Sequence, residues 1–210
     1  MVEHSYNLDY TFPQKSPCIK IPVAYLRFRR VVEIFFILLL LPVLLPITLI
    51  IGLAIKIDSK GRVFFLQQRP GKDGQLFHLV KFRTMIDQPQ AVLTLTQKND
   101  VRITTFGSVL RRLHLDELPQ VWNVLRGDMS IIGPRPVPAA LYEYYLKHIP
   151  NYEQRHFIRP GITGWAQVEI GYTNDLAGEQ RKWQLDIFYL QHISPKYDWQ
   201  ILWRTFIRLR

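Results

Sequence analysis

The feature that most constrains this chain is an apolar segment at residues 34–55, which contains no ionisable side chain. As a straight helix it would be roughly 33 Å long, enough to cross the roughly 30 Å of bilayer hydrocarbon. About thirty residues precede the segment and no small-residue cleavage site follows it, which is unlike a signal peptide. A buried helix of a soluble core is the alternative, but such helices seldom stay apolar on every face. The sequence therefore predicts a membrane helix.

Two prolines and the flanking charges argue against a simple spanning helix. Pro42 and Pro46 lie inside the segment, and each removes a backbone hydrogen bond. Five basic residues stand on each side: Lys15, Lys20, Arg27, Arg29 and Arg30 before it, and Lys56, Lys60, Arg62, Arg69 and Lys72 after it. Because neither end has an excess of positive charge, neither is marked for export. We predict a re-entrant helix-break-helix that enters and leaves by the cytoplasmic face, with a kinked spanning helix as the alternative.

The formal net charge of +10, from 27 Lys plus Arg against 17 Asp plus Glu, favours anionic partners. Phospholipid headgroups, phosphorylated substrates and nucleic acid all meet that description. No helix-turn-helix, zinc-finger or stacking-aromatic motif is apparent, so we expect no nucleic-acid partner. Cys18 is the only cysteine, which excludes an intrachain disulfide and fits a reducing compartment.

The rest of the chain predicts a mostly helical α+β fold with one small β-hairpin. Two β-rich runs around a Pro/Gly/Asp turn predict the hairpin at residues 63–85. Residues 86–105 are interpreted as a loop, and Gly127 is placed to end a helix. Two Pro/Gly-rich loops are predicted at 133–136 and 159–164. Helical segments are predicted at residues 106–125, 139–148 and 179–210, the last with a break at Ser194 and Pro195.

The most unusual short segment holds two adjacent carboxylates, Asp116 and Glu117, just before Pro119. Because proline is tolerated in the first turn of a helix, we expect a helix to begin at about Asp116. A carboxylate at that end of a helix would stay ionised and could attack phosphorus, while its neighbour could hold Mg²⁺. An ordinary helix cap is the structural alternative, and spacing alone favours it.

Basic residues near the carboxylates in sequence, or on stiff loops, strengthen the catalytic interpretation. The candidates for binding substrate phosphates are Lys81, Arg83, Arg111, Arg112, Arg135 and Arg159. Arg135 stands between two prolines and Arg159 precedes one, so both should be presented rigidly. Several guanidinium groups around two carboxylates, beside a membrane helix, indicate a diphosphate substrate that meets a lipid.

Four segments occur in the order found in one family: residues 81–85, 116–120, 126–136 and 159–165. On these the chain, from about Arg27 onward, resembles the bacterial sugar transferase family, the monotopic phosphoglycosyl transferases, in its minimal form. The resemblance implies transfer of a sugar-1-phosphate from a UDP-sugar to undecaprenyl phosphate. The implied products are UMP and an undecaprenyl-diphosphate sugar, in the first membrane step of a bacterial surface glycan pathway.

The resemblance also implies residue roles. Asp116 would be the nucleophile that forms an aspartyl-phosphosugar, and Glu117 would complete the pair. Mg²⁺, with Mn²⁺ as a substitute, would be held by Asp116 and Glu117. The helix break would fall at Pro46, aided by Pro42, although Leu45 stands where many relatives have serine.

We expect three regions: an N-terminal extension at 1–26, the re-entrant helix at 27–57 and a catalytic domain at 58–210. That domain would lie on the cytoplasmic face of the bacterial inner membrane, held there by interfacial amphipathic helices. The segment from Tyr197 to Arg210 is predicted to be one of them, with a helix packed on its own domain as the alternative. The expected partners are the UDP-sugar, undecaprenyl phosphate and inner-membrane lipid, and a homodimer is left open. Two other functions compete: a membrane-bound glycosyltransferase that releases UDP, and a non-enzymatic module that binds anionic lipid.

Overall fold

The computed structural model describes residues 19–86, 100–171, 173 and 175–208. Its first element is the long helix α1 (Val23–Asp58), which has both prolines inside it. By length and composition α1 could cross a membrane, and only 11% of its most apolar stretch is buried by the protein. The helical backbone continues through Pro42 and Pro46, so the structure shows no interruption there, and a bend of α1 at these prolines stays a prediction. A proline removes one hydrogen bond, and the remaining bonds of the neighbouring turns hold the helix together.

Both ends of α1 pack against the same body of the protein. Near its start, Arg29 donates to Asp198 Oδ2 at 2.9 Å and to Ile132 O at 3.1 Å. Near its end, Ile51 and Ile55 are buried in one apolar cluster with residues of the body. The middle of the helix, between these contacts, exposes most of its large apolar side chains.

The predicted hairpin is confirmed as β1 (Phe64–Pro70) and β2 (Leu76–Phe82), which pair antiparallel. In this register Lys81 lies opposite Phe65. The inner face of β2 buries Phe77 and Leu79 in one apolar cluster with Ile37 of α1 and with Val124, which belongs to a helix further along the chain. The hairpin thus fixes the direction in which Lys81 leaves the sheet.

Two helices follow, α2 (Thr105–Arg112) and α3 (Gln120–Arg126), and Gly127 ends α3 in the left-handed conformation as predicted. A helical turn begins near Asp116, as predicted, but it is not the start of α3. Asp116 lies in a separate 3₁₀ turn, Leu115–Glu117, and Pro119 is the residue that caps α3. The turn forms because His114 adopts a left-handed backbone (φ 55°), which separates it from α2. Most of the predicted loop at 86–105 lies outside the described residues.

The two Pro/Gly-rich segments, predicted as loops, contain or adjoin short strands. β3 (Ser130–Ile132) and β4 (Gly161–Thr163) pair in parallel. Beyond the strands the backbones touch, since Gly133 N donates to Thr163 O at 2.9 Å and Gly161 N to Pro134 O at 3.0 Å. A Cβ on Gly161 would lie 2.1 Å from Gly133 N, so only glycine fits there.

The C-terminal part is helical, as predicted. α4 (Ala139–His148) has the predicted bounds, and the 3₁₀ helix Tyr152–His156 follows it. Then come α5 (Trp165–Glu169), α6 (Leu176–Gln191) and α7 (Pro195–Arg208), with the break between α6 and α7 at Ser194. The main apolar core is formed by α5, α6 and α7 against β3. The described part of the chain is therefore a mostly helical α+β protein.

Candidate active site

Glu117 lies at the centre of the candidate site and binds two cations. Lys81 Nζ donates to its Oε1 at 2.7 Å. Arg135 binds both oxygens of the same carboxylate, with Nη1 at 3.2 Å from Oε2 and Nη2 on Oε1. The β-hairpin supplies Lys81, and the Gly133–Pro134–Arg135–Pro136 segment supplies Arg135. The paired carboxylate therefore holds Lys81 and Arg135 side by side at one point.

The two adjacent carboxyl groups have pKa values shifted in opposite directions. Burial opposes ionisation of Glu117, but the charges of Arg135 and Lys81 outweigh it and hold the pKa of that carboxyl well below its usual range. Burial raises the pKa of Asp116, and the repulsion from Glu117 adds to it, against the attraction of Lys81 and Arg111. Paired titratable groups with pKa values driven apart by their surroundings are typical of groups with different chemical roles.

Asp116 is half-buried and, within the described residues, no basic side-chain nitrogen lies within 4.0 Å of its carboxylate. Asp116 lies in the 3₁₀ turn four residues before α3, so it is not at the α-helix N-terminus that was expected to keep it ionised. Lys81 and Arg111 attract its charge from a distance instead. An unpaired carboxylate in a cationic environment has oxygens available to a substrate or a metal ion.

Some of the other predicted phosphate-binding residues lie near this site, and others lie elsewhere. Arg111 donates from Nε to Thr84 Oγ1 at 2.8 Å, and its charge acts on Asp116. Arg112 is exposed at the end of α2. Arg159 is exposed and donates to Gly127 O at 2.7 Å. The structure therefore groups Lys81, Arg111 and Arg135 around the carboxylates and gives Arg159 a different neighbour.

Arg83, which was predicted to bind a substrate phosphate, instead contacts the chain just after α1. It is 5% exposed and donates to Ser59 O at 2.7 Å and to Lys60 O at 3.0 Å. These carbonyls lie just past the C-terminus of α1, in the segment that leads to the hairpin. Arg83 thus joins the end of the long helix to the hairpin that carries Lys81.

The carboxylates of the site differ in how well they fit the expected magnesium ion. No group of three or more His, Cys, Asp or Glu side chains forms a metal centre among the residues that the structure describes. Magnesium needs fewer protein ligands, because one or two carboxylates plus substrate phosphates and water complete its oxygen shell. Both oxygens of Glu117 already accept hydrogen bonds from cations. Asp116 is therefore the carboxylate that fits a magnesium ion.

Sequence reasoning missed a buried ion cluster behind Arg135. Arg155, Glu179 and Asp186 are each less than a tenth exposed. Arg155 donates to the backbone oxygen of Arg135 at 3.1 Å. The available signal was the spacing of Glu179 and Asp186, seven residues apart in a helical segment, which places both on one helix face.

Taken together, the long apolar helix and the carboxylate–cation site define a membrane-associated protein suited to anionic substrates. The chain belongs to the bacterial sugar transferase family, which it matches over residues 24–209. The family resemblance deduced from the four sequence segments is thereby confirmed.

Several relatives align with most of this chain. The chain is 40% identical over 182 residues to the UDP-N-acetylgalactosamine-undecaprenyl-phosphate N-acetylgalactosaminephosphotransferase of Aeromonas hydrophila, covering 86% of this chain and 43% of that protein. It is 46% identical over 168 residues to the UDP-glucose:undecaprenyl-phosphate glucose-1-phosphate transferase of Xanthomonas campestris pv. campestris, covering 78% and 35%. It is 40% identical over 189 residues to the exopolysaccharide production protein PSS of Rhizobium leguminosarum bv. phaseoli, covering 85% and 93%. The chain thus spans less than half the length of the first two relatives.

Proposed function

We propose that this protein transfers a sugar-1-phosphate from a UDP-sugar to undecaprenyl phosphate, through a covalent intermediate on Asp116. The single observation that carries the proposal is the unpaired Asp116 carboxylate beside a Glu117 that two cations neutralise. The relatives named as undecaprenyl-phosphate sugar phosphotransferases support the substrate class. The products would be UMP and an undecaprenyl-diphosphate sugar for a surface glycan.

The chemistry balances in two displacements at one phosphorus atom. In the first, an oxygen of Asp116 attacks the phosphorus that carries the sugar, and the bond from that phosphorus to the bridging oxygen breaks. UMP leaves with the bridging oxygen, and Asp116 carries the phosphosugar. In the second, a phosphate oxygen of undecaprenyl phosphate attacks the same phosphorus, and the bond to Asp116 breaks. The carboxylate is regenerated, so neither step needs an oxidant or a reductant.

Lys81, Arg111 and Arg135 would stabilise the negative charge that collects on the phosphate oxygens. Glu117 would hold Lys81 and Arg135 in place, which avoids reorganisation when the substrate binds. Arg112 and Arg159, both exposed, would contact the diphosphate or the lipid phosphate if substrate binding brings them in. Arg83 would not touch the substrate, and it would affect the site only by holding the end of α1 against the hairpin that carries Lys81.

A magnesium ion would be held by Asp116 together with the diphosphate of the donor. When bound, it supplies positive charge that lowers the repulsion between a carboxylate and a phosphate. We expect EDTA to stop UMP release and added Mg²⁺ or Mn²⁺ to restore it. Full activity in metal-free buffer would contradict the metal requirement.

The acid limb of the pH–rate profile should report the protonation of the Asp116 carboxylate. Only the carboxylate can attack, so the rate of adduct formation falls as the pH drops through the pKa of Asp116. Burial raises that pKa, whereas a bound Mg²⁺ would lower it, so the wild type and its variants are compared at one Mg²⁺ concentration. Arg111 lowers the pKa of Asp116, so Arg111→Met should move the limb to higher pH, measured in single-turnover experiments. The charge-retaining Arg111→Lys should leave the limb in place. A limb that does not move in Arg111→Met would contradict the assignment to Asp116.

The proposed location is the cytoplasmic face of the inner membrane, with α1 as a re-entrant segment. Two observations support a path that returns to the same face. The start of α1 is joined to α7 through Arg29 and Asp198, and its end to the hairpin through Arg83. A helix that crossed the bilayer would separate these contacts by the membrane thickness.

Helix α7 provides a second contact with lipid. Its exposed apolar face would sit in the headgroup layer, and it comprises Trp199, Leu202, Trp203, Phe206 and Ile207.

Cysteine labelling tests this topology after Cys18→Ser removes the native thiol. Single cysteines at Lys20, before α1, and at Lys147, on α4, are both placed at exposed positions. A membrane-impermeant maleimide should label neither position in intact cells and both after lysis. Labelling at Lys20→Cys alone in intact cells would show that α1 spans the bilayer.

The nucleotide product tests the function itself. Purified protein in detergent, given undecaprenyl phosphate and a panel of UDP-sugars, should release UMP with one or more donors. Release of UDP would instead identify the glycosyltransferase alternative. No nucleotide release, together with binding to anionic vesicles, would identify the lipid-binding module.

A further inference from the structure

A buried guanidinium lies behind the candidate site and does not reach the reacting groups. Arg155 belongs to the 3₁₀ helix Tyr152–His156, and its side chain is 3% exposed. Its Nη1 donates to Glu179 Oε1 at 2.8 Å and its Nη2 to Asp186 Oδ2 at 2.6 Å. Both carboxylates come from α6. Two charged acceptors on different atoms fix the plane of the guanidinium as well as its position.

The same guanidinium holds the segment that carries Arg135. Arg155 Nη2 also donates to Arg135 O at 3.1 Å. The next carbonyl, Pro136 O, accepts from Arg69 of the hairpin. Two guanidinium groups thus bind consecutive carbonyls, and the prolines at 134 and 136 stiffen the backbone between them. The direction in which the Arg135 side chain leaves the backbone is therefore set from behind.

The residue next to Arg155 makes a matching contact to the hairpin. His156 is 4% exposed, and its Nδ1 lies 3.0 Å from Gly71 O, between β1 and β2. Burial and the charge of Arg155 lower the pKa of His156 to about 3, so the neutral ring donates from Nδ1 to this carbonyl. One short 3₁₀ helix is therefore bonded to both segments that bring a cation to Glu117.

We infer that Arg155, fixed by Glu179 and Asp186, is a positioning residue that sets the Arg135 guanidinium on Glu117. The inference rests on the proposed function for its effect on turnover, because Arg135 acts there on the phosphate oxygens. The positioning of Arg135 by Arg155 rests only on contacts between described residues. Misplacement of a charged group by about 1 Å can cost on the order of a hundredfold in rate, so a remote ion cluster can matter for catalysis.

The first experiment measures the positioning without using activity. Asp186→Asn keeps the side-chain volume and removes one charged acceptor of Arg155. We expect faster hydrogen exchange in peptides that contain the Gly133 and Gly161 amides, which tie this segment to β4. The control is Glu169→Gln, which breaks the ion pair with Arg204 between α5 and α7 and should leave those amides unchanged. Glu179→Gln repeats the test if Asp186→Asn fails to fold. Unchanged exchange in both folded variants would overturn the inference.

The second experiment is a double-mutant cycle with Arg135, followed by UMP release at about pH 8, where acidic side chains are ionised. Asp186→Asn alone should lower kcat about tenfold, and by less than about twofold once Arg135→Ala is present, because residues that act through one group are not additive. Glu169→Gln should have the same small effect in both backgrounds. Equal losses from Asp186→Asn in both backgrounds would show a merely structural role. If the wild-type protein releases no UMP, the proposed function fails, and the exchange experiment still decides the positioning.

Discussion

Asp116→Asn should abolish both the covalent adduct and turnover. An amide oxygen is a poor nucleophile, so we expect the rate of UMP release to fall by at least about a thousandfold. Incubation of the wild-type protein with the UDP-sugar alone should leave a phosphosugar on Asp116, detected as a mass increase and mapped by peptide sequencing. The Asn variant should show no such increase. Because Asn is close in size to Asp, its thermal unfolding should stay near that of the wild type.

The matched control is Asp73→Asn, the same chemical change at an exposed position of the hairpin turn. Asparagine tolerates the left-handed backbone of Asp73 (φ 55°), so this variant should keep both adduct and turnover. An adduct on any residue other than Asp116, or an active Asp116→Asn protein, would rule out the proposed intermediate.

Arg135→Lys should cost about a hundredfold in kcat although the charge is kept. Arg135 binds both oxygens of Glu117, and an ammonium group cannot reproduce that two-point contact. Loss of one N–H donor at the site also weakens stabilisation of the phosphate oxygens, for which single donors account for about a hundredfold or more. Steady-state kinetics of UMP release measure the effect, and a change mainly in kcat is expected.

Arg126→Lys controls for the substitution itself. Arg126 is exposed, ends α3 and lies 3.6 Å from Asp128, away from Glu117. Its replacement should leave the rate within about twofold, as is usual for surface changes. Wild-type rates in Arg135→Lys would mean that the two-point contact has no part in catalysis.

Much of the fold could be predicted because its signals are local. The bounds of α4 follow from helical periodicity, and Gly127 ends α3 because glycine accepts a positive φ. The hairpin follows from a polar turn between two β-rich runs. The three-residue strands β3 and β4 could not be predicted. They are too short to show the alternation of apolar and polar residues that indicates a strand, and they are stabilised by pairing with each other. The response of α1 to its two prolines could not be predicted either, since a proline shows which hydrogen bond is lost and not how the neighbouring turns respond.

The candidate site was predicted as a set of residues but not as a set of contacts. Glu117 is 36 positions from Lys81 and 18 from Arg135, and nothing local in the sequence pairs them. Arg83 and Lys81 stand two residues apart, yet one faces the end of α1 and the other faces Glu117. The opposite pKa shifts of Asp116 and Glu117 depend on burial and on which carboxylate each cation pairs with. These are properties of the folded chain.

The attachment of α1 has a consequence for how the protein folds. Arg29 supplies the charge that balances Asp198, which is 5% exposed, and it also bonds Tyr189 at 2.8 Å. A version shortened to begin after Asp58 would leave Asp198 buried without its cation, and removal of one partner of a buried ion pair costs about 3–5 kcal/mol. The long helix is thus an internal structural element and not a detachable tether. Insertion into lipid and assembly of the catalytic body should proceed as one cooperative event.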